Sequence, residues 1–298
     1  MSMQLKGTIT ALITPFINQQ IDEEGLVQNI HYQIEQGING LLLLGSTGEA
    51  FTLSPIEQEK VIKIAVKEAK GKVPIWVGTG SNCTRQTIEK TKRAKDLGAD
   101  MASLVTPYYN KPTQEGIFRH FEAIATQVDI SLIIYNVPAR CGVNIETATL
   151  LRIAGLPHVL GVKEASGHVN QVGNTLYTLL EKYPHFAVFS GDDTLTLPLM
   201  ALGAKGVISV VSNLIPKQMV GLVNAILKGD FEYARKLHYQ LLPLFNTSMI
   251  ETNPIPIKAA MDLCKMPAGE CRLPLCSLQP ENLNHLRQLL LRMQLLSS

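Results

Sequence analysis

The sequence predicts an α/β protein built as a (β/α)8 (TIM) barrel with a C-terminal helical appendage. Eight short apolar runs of strand length alternate with amphipathic helical segments within roughly 220 residues. Several runs are continuously apolar, which indicates strands that are covered on both faces, as in a parallel sheet. No dinucleotide-binding fingerprint follows the first run, which argues against a doubly wound open sheet.

Composition indicates a globular chain and gives no sign of binding to nucleic acid or membranes. The 298 residues are 46% hydrophobic and 17% charged, enough for a large core, and the net charge is only +2. No apolar stretch is long enough to span a bilayer, and no secretory signal is recognised. The five cysteines lack C-x-x-C spacing and histidines at ligand distance, so we expect reduced thiols in the cytoplasm and no metal site.

The first half of the chain contains clear signals for where elements start and stop. Pro15 stops a strand in G-T-I-T-A-L-I-T-P-F, and Asp22 opens a helix with apolar residues every four positions. The run I-N-G-L-L-L-L-G predicts the second strand, and S-P-I-E at Ser54 predicts a capping box that starts the next helix. Three helix-to-strand joints carry a glycine that is expected in the left-handed conformation: Gly37, Gly98 and Gly203.

The remaining strands follow in order, with helices between them. They are predicted in V-P-I-W-V-G-T-G, M-A-S-L-V-T-P, I-S-L-I-I-Y-N-V-P, H-V-L-G-V-K, F-A-V-F-S-G and K-G-V-I-S-V-V. Beyond about residue 225 the pattern becomes all helical, so we predict a catalytic barrel over residues 1–225 and a helical region over residues 226–298. Three helices are predicted there: from Asp230 to near Pro243, from Ile255 to Leu263, and from Glu281 onward.

Lys163 is the first candidate for a catalytic residue, because it ends the strand H-V-L-G-V-K. An ammonium group at the end of a buried strand is costly to desolvate, so burial should lower its pKa. The neutral amine is a nucleophile towards carbonyls, which Schiff-base catalysis requires. The alternative is a lysine in solvent or paired with Glu164.

Two residues near the end of the neighbouring strand fit the same chemistry. Tyr135 ends the strand next to that of Lys163, and a phenol beside an amine suits proton transfer during carbinolamine formation and loss of water. Arg140 is a forked donor suited to a carboxylate, and its alternative is a surface arginine.

Two further strands also end in polar residues. The loop G-S-T-G-E, from Gly45 to Glu49, could hold a small anion with its main-chain N–H groups; its alternative is a tight turn with a capping hydroxyl. For Asp192 and Asp193 we favour helix capping over a metal or acid role.

The motifs G-S-T-G-E, T-P-Y-Y-N-K-P, Y-N-V-P-A-R, G-V-K-E-A-S-G and S-G-D-D occur in order. From about Gly7 to N-P-I-P-I-K-A-A-M at Asn253, the chain resembles the dihydrodipicolinate synthase branch of the pyruvate-dependent class I aldolases, the family of N-acetylneuraminate lyase. The resemblance implies condensation of pyruvate with L-aspartate 4-semialdehyde to 4-hydroxy-tetrahydrodipicolinate, the first committed step of diaminopimelate and lysine synthesis. It further implies no metal or organic cofactor and a homotetramer made of two tight dimers.

The resemblance also assigns roles to individual residues. Catalysis would fall to Lys163 as the Schiff-base lysine and to a hydroxyl relay of Tyr135, Ser46 and Tyr109, the last reaching across a subunit interface. Substrate binding would fall to Thr47 for the pyruvate carboxylate, to Arg140 for the semialdehyde carboxylate, and to the backbone of Gly191 and Ile208. Ser46 replaces the threonine of many synthases but keeps the hydroxyl. Lyase relatives carry an apolar residue where Arg140 stands, so Arg140 favours the synthase.

A lysine-effector site is matched only in part. Asn82 and Tyr108 match the family pocket, whereas Gln58 stands for a histidine and Gln86 for a glutamate. Losing the carboxylate that pairs with the effector ammonium should cost about 1.5–3 kcal/mol, so weak or absent lysine inhibition is expected.

Two alternatives remain open from the sequence. One is another pyruvate-dependent aldolase, acting on N-acetylneuraminate or a 2-keto-3-deoxy sugar acid. The other is a catalytically dead barrel kept as a binding protein. Borohydride reduction in the presence of pyruvate separates an active lysine from the second alternative.

Overall fold

The computed structural model describes residues 5–296, and its central feature is a closed barrel of eight parallel strands in the order β1-β10-β9-β8-β7-β6-β5-β4. The barrel strands are β1 Gly7–Ala11, β4 Gly40–Leu43, β5 Ile75–Gly78, β6 Met101–Val105, β7 Ser131–Asn136, β8 Val159–Glu164, β9 Ala187–Ser190 and β10 Gly206–Ser209. A small antiparallel pair, β2 Phe16–Ile17 and β3 Gln20–Ile21, follows the first of them. The predicted (β/α)8 barrel is therefore confirmed.

Helices lie between the barrel strands and continue after the last one. They are α1 Glu23–Glu35, α2 Pro55–Ala69, α3 Thr84–Asp96, α4 Gln114–Ala125, α5 Pro138–Cys141, α6 Thr147–Ala154, α7 Val169–Lys182, α8 Thr196–Ala201, α9 Pro216–Leu227, α10 Phe231–Thr247, α11 Ile255–Leu263 and α12 Pro280–Arg292. The predicted helical appendage is present as α10 to α12. The predicted boundary at residue 225 falls inside α9 and stays a prediction.

Local sequence signals position several of these elements. The Asp22 side chain accepts a hydrogen bond from the Gly25 N–H and starts α1, and Ser54 with Glu57 forms the reciprocal capping box of α2. All three joint glycines have positive φ, with values of 81° at Gly37, 97° at Gly98 and 116° at Gly203. The expected helix closures are therefore confirmed.

One boundary prediction is wrong, because α10 does not end near Pro243 but continues through it to Thr247. A proline inside a helix removes one backbone hydrogen bond, which disfavours the helix at that point. Leu244 and Phe245 are both buried, and keeping the helix intact packs these two side chains in the core. Tertiary packing thus outweighs the local signal of the proline.

The chain divides into two compact units: the residues up to Gly7 with 76–208, and the residues 8–75 with 209–298. Within the first unit, Trp76 packs edge-on against Phe189, with 5.5 Å between the ring centroids. Within the second, Leu26 and Ile30 of α1 are fully buried. Over the described part of the chain, no helix has the length and hydropathy needed to cross a membrane.

Candidate active site

Lys163 and Tyr135 face each other at the ends of adjacent strands. The parallel register of β7 and β8 pairs Tyr135 directly with Lys163, as their positions in the sequence predicted. The Lys163 Nζ lies 4.3 Å from the centroid of the tyrosine ring. Glu164 does not compete for the amine, because its carboxylate accepts from the Asn136 side chain at 3.1 Å and from the Ser166 N–H at 2.7 Å.

Burial dominates the electrostatics of both groups. It lowers the pKa of Lys163 to about 8, and it raises the pKa of Tyr135 to about 12. At neutral pH the phenol is protonated, while an appreciable fraction of the lysine is an uncharged amine. The pair therefore combines a carbonyl nucleophile with a proton donor.

Two charged residues modulate the pKa of this lysine. The carboxylate of Asp193 raises the pKa of Lys163, opposing the effect of burial, and the guanidinium of Arg140 lowers it. Arg140 is exposed on the short helix α5, which begins with Pro138, one residue beyond the end of β7. Asp192 accepts from the Thr194 N–H at 2.8 Å, which is the capping role that the sequence favoured.

Gly191 brings backbone up against the lysine side chain. It follows β9, and its N–H donates to the Glu164 carbonyl at 2.7 Å. A Cβ atom at this position would lie 3.0 Å from Lys163 Cγ and 2.9 Å from Ala165 Cβ. Only glycine permits this close approach without displacing the lysine or its neighbour.

The remaining predicted residues of the same unit occupy different environments. Ile208 is buried within β10, whereas Tyr109 is 89% exposed and has a φ of 71°. A left-handed tyrosine is uncommon, and such strained residues cluster at functional sites.

The residues of the possible effector site lie around Ser81. The Ser81 hydroxyl contacts Gln86 Oε1 at 3.1 Å, and the Asn110 amide donates to the Asn82 carbonyl at 2.9 Å. Burial raises the pKa of Tyr108, whereas hydrogen bonding to Ser81 acts in the opposite direction. The glutamine at position 86 is therefore already a hydrogen-bonding partner within the protein.

The second unit carries the G-S-T-G-E loop directly after β4. The loop is a tight turn: the Glu49 N–H donates to the Ser46 carbonyl at 3.2 Å, and Glu49 itself has a φ of 51°. Ser46 is partly exposed and Thr47 is buried. The Thr47 hydroxyl accepts a hydrogen bond from Asn253 Nδ2 at 2.9 Å.

A buried ion pair holds the end of the loop. Lys258 Nζ on α11 lies 2.8 Å from Glu49 Oε1, and the two side chains are 2% and 0% exposed. The lysine also donates to the carbonyls of Thr14 and Glu270, and the Arg272 N–H donates to the other oxygen of Glu49 at 2.9 Å. Both charges are thus paired and further hydrogen-bonded, as buried charges must be.

Sequence reasoning did not identify Asn253, Lys258 or the function of Glu49. The available signal was a lysine on a helix otherwise rich in apolar residues and a glutamate that ends a glycine-rich loop. Each implied a buried charge in need of a partner, but more than 200 residues separate the two, a distance that local patterns do not bridge.

A closed parallel barrel that holds a desolvated lysine against a tyrosine defines an enzyme of the Schiff-base class. The model of the dihydrodipicolinate synthetase family matches residues 4–293. The 4-hydroxy-tetrahydrodipicolinate synthase of Protochlamydia amoebophila is 53% identical over 289 residues, covering 97% of this chain and 96% of that protein. That of Hydrogenobaculum sp. is 47% identical over 293 residues, covering 98% and 100%.

A solved structure agrees with these relatives. The crystal structure of dihydrodipicolinate synthase from Thermotoga maritima has a TM-score of 0.96 and 41% identity, covering 98% of this chain and all of that one. The chain belongs to the dihydrodipicolinate synthetase family.

Proposed function

We propose that this protein condenses pyruvate with L-aspartate 4-semialdehyde to form 4-hydroxy-tetrahydrodipicolinate. The observation that carries the proposal is Lys163, whose pKa is lowered to about 8 by burial beside the protonated phenol of Tyr135. A Schiff-base enzyme requires this combination, because the amine must be uncharged to attack and a proton must be supplied for water to leave.

The reaction begins at the ketone of pyruvate. The neutral Lys163 amine adds to C2, the phenol of Tyr135 transfers protons, and water leaves to give the iminium ion. The iminium acidifies the methyl group, and loss of a proton gives an enamine. Its carbon forms a bond to the aldehyde carbon of the second substrate, whose oxygen takes up a proton and becomes a hydroxyl while the iminium re-forms at C2. The amine of that substrate then attacks C2, closes the ring and releases the Lys163 amine.

Recognition of the two carboxylates is assigned to different residues. Thr47, with Ser46 beside it in the chain, binds the carboxylate of pyruvate. Arg140 binds the carboxylate of the semialdehyde, because its guanidinium matches the geometry of a carboxylate. Gly191 and Ile208 contribute backbone to the lining of the site.

The proposal includes the assembly and location of the enzyme. Its state is a homotetramer, a dimer of tight dimers, in which Tyr109 reaches the neighbouring subunit and completes the hydroxyl relay; its 89% exposure in the single chain leaves it accessible for such a contact. Sedimentation of the purified protein tests the tetramer. The free cysteines fit an enzyme of the cytoplasm, where thiols stay reduced.

Borohydride reduction in the presence of pyruvate tests the covalent step. Mass spectrometry of the digested protein should find the reduced adduct on Lys163, and Lys163→Met should remove it. An adduct on another residue, or none at all, contradicts the proposal.

The choice of second substrate is tested at Arg140. Arg140→Ala should raise the KM for the semialdehyde at least tenfold, the worth of roughly one charge-assisted hydrogen bond, and change the KM for pyruvate little. Equal effects on both substrates would assign the arginine another role. Turnover of N-acetylneuraminate instead of the semialdehyde would favour the lyase.

A further inference from the structure

We propose that Asn253 is a positioning residue that fixes the Thr47 hydroxyl as a hydrogen-bond donor towards the carboxylate of the keto acid. The inference rests on the proposed function, because it takes Thr47 to be the residue that binds this carboxylate. It assigns the segment before helix α11, in the C-terminal region, a direct part in substrate binding.

The contact is short and buried. Asn253 Nδ2 donates to Thr47 Oγ1 at 2.9 Å across 206 positions of sequence. Thr47 is 2% exposed and Asn253 is 4% exposed, so water does not readily replace either partner. A buried hydrogen bond of this kind is worth more than one at the surface, and its loss leaves a polar group unsatisfied.

The direction of the bond decides what Thr47 can offer to a ligand. A hydroxyl has one hydrogen to donate and two lone pairs that accept. When Asn253 donates to one lone pair, the hydrogen of Thr47 remains available, and among residues 5–296 it has no protein acceptor. An ionised carboxylate can only accept, so it is complementary to a hydroxyl held in this way.

The surrounding loop keeps Thr47 in place for this interaction. Gly48 packs so closely that an added Cβ would lie 3.1 Å from the Leu12 carbonyl oxygen, and its own carbonyl accepts from the Thr14 hydroxyl at 2.8 Å. The next residue, Glu49, is held by the buried ion pair with Lys258. The loop backbone is therefore fixed independently of Asn253, which leaves the orientation of the hydroxyl as the property that Asn253 controls.

A double-mutant cycle tests the coupling. The KM for pyruvate and the pyruvate dependence of borohydride trapping at Lys163 are measured for the full-length protein and for Asn253→Leu, Thr47→Val and the combined variant. Each single change should raise the KM for pyruvate roughly tenfold, the worth of a hydrogen bond to a charged group. The combined variant should be no more than about twofold worse than Thr47→Val alone, because both changes remove the same interaction.

The pattern across substrates separates positioning from a structural role. In Asn253→Leu, the KM for the semialdehyde and kcat should stay within about twofold of the original values, since the lost interaction binds the pyruvate carboxylate equally in the ground state and in the transition state. Multiplicative effects in the cycle, or equal losses in kcat and both KM values, overturn the inference.

Asn253→Asp provides a second variant with a side chain of the same shape, so this test does not require the protein to accommodate a leucine at position 253. The ionised carboxylate of this variant can only accept, so Thr47 must turn its hydrogen towards that carboxylate and present lone pairs to the substrate. The KM for pyruvate, relative to that of the original protein at the same pH, should rise between about pH 6 and 9 as the buried carboxyl group ionises. A constant ratio would show that the direction of the hydrogen bond does not matter.

Failure of the inference is distinct from failure of the proposed function. If the original protein forms no pyruvate adduct on Lys163, both fall. If the adduct forms but Asn253 and Thr47 act independently, only the inference about Asn253 is wrong.

Discussion

At Lys163 the decisive quantity is the fraction of side chains that carry an uncharged amine. With a pKa of about 8, about one lysine in ten is neutral at pH 7. An ordinary lysine with its pKa near 10.4 would be neutral in only about one molecule in 2,500. Burial in the barrel thus raises the fraction of Lys163 that is an uncharged amine by more than about a hundredfold.

We expect the rate of Schiff-base formation at low pyruvate concentration to rise about tenfold per pH unit below pH 8 and to level off above it. The rate of borohydride-trappable adduct formation measures this. Because Asp193 raises the pKa of Lys163 and Arg140 lowers it, Asp193→Asn should move the midpoint to lower pH, and Arg140→Gln should move it higher. A midpoint near 10, unmoved in both variants, would contradict the assignment.

Gly191 provides a second test at the scale of single atoms. Gly191→Ala should slow adduct formation at least tenfold, because its Cβ would crowd Lys163 Cγ at 3.0 Å and push the amine out of position. Gly173→Ala in α7 is the matched control, since its nearest neighbour would lie 3.8 Å away and alanine favours a helix. Equal rates of adduct formation in the two variants would show that Gly191 does not control the position of the Lys163 amine.

At the scale of elements, the contact between the G-S-T-G-E loop and helix α11 links two distant parts of the sequence. Its centre is the Glu49–Lys258 ion pair, in which both side chains are buried. A buried pair adds little net stability compared with apolar residues, but breaking it leaves an uncompensated charge. The main energetic effect of the pair is therefore the penalty for leaving either charge without its partner.

Lys258→Met should lower the free energy of unfolding by about 3 kcal/mol, and the double variant Glu49→Gln with Lys258→Met should recover part of this loss. Urea midpoints measure both. Lys60→Met is the control, because the Lys60–Glu23 pair has the same kind of contact at 2.7 Å but is about half exposed. Its loss should cost less than about 1 kcal/mol. Equal costs for the two lysine variants would show that burial does not set the value of the pair.

The sequence predicted elements well wherever the signal was local. Capping residues, joint glycines and apolar periodicity located the strands and helices, including α11 from Ile255 to Leu263 as predicted. It predicted α10 wrongly, because the local effect of Pro243 was weighed without the core contacts of Leu244 and Phe245. The candidate site residues at the ends of strands were predicted from the sequence. The contact of Asn253 was not, because this residue lies in a segment outside the strands.

At the scale of the whole molecule, regulation by lysine depends on which side chains can pair with the ammonium of the effector. Gln86 has an amide where the resemblance to lysine-inhibited synthases implies a carboxylate, and its oxygen already contacts the Ser81 hydroxyl. The ammonium of a bound lysine would lose its charge-assisted partner there. We therefore expect weak feedback by lysine and attribute it to this residue rather than to the fold.

We expect the initial rate at saturating pyruvate to keep more than half its value in 1 mM lysine. The reason is that losing about 1.5–3 kcal/mol of binding free energy weakens the affinity for lysine by more than about tenfold. Gln86→Glu should lower the half-inhibiting concentration about tenfold by restoring the carboxylate. Half-inhibition of the original enzyme by lysine well below 1 mM would contradict this expectation, because it would show that Gln86 binds the effector ammonium without a carboxylate.

The sequence by itself determined the barrel and the order of its elements and predicted the candidate nucleophile, because those follow from periodicity, capping and the chemistry of one lysine at a strand end. Only the tertiary structure decided the pKa of Lys163, the close approach of Gly191, and the partners of Thr47 and Glu49. These depend on burial and on contacts between residues far apart in the chain. Desolvation and long-range pairing arise only when the chain is folded, so no local pattern encodes them.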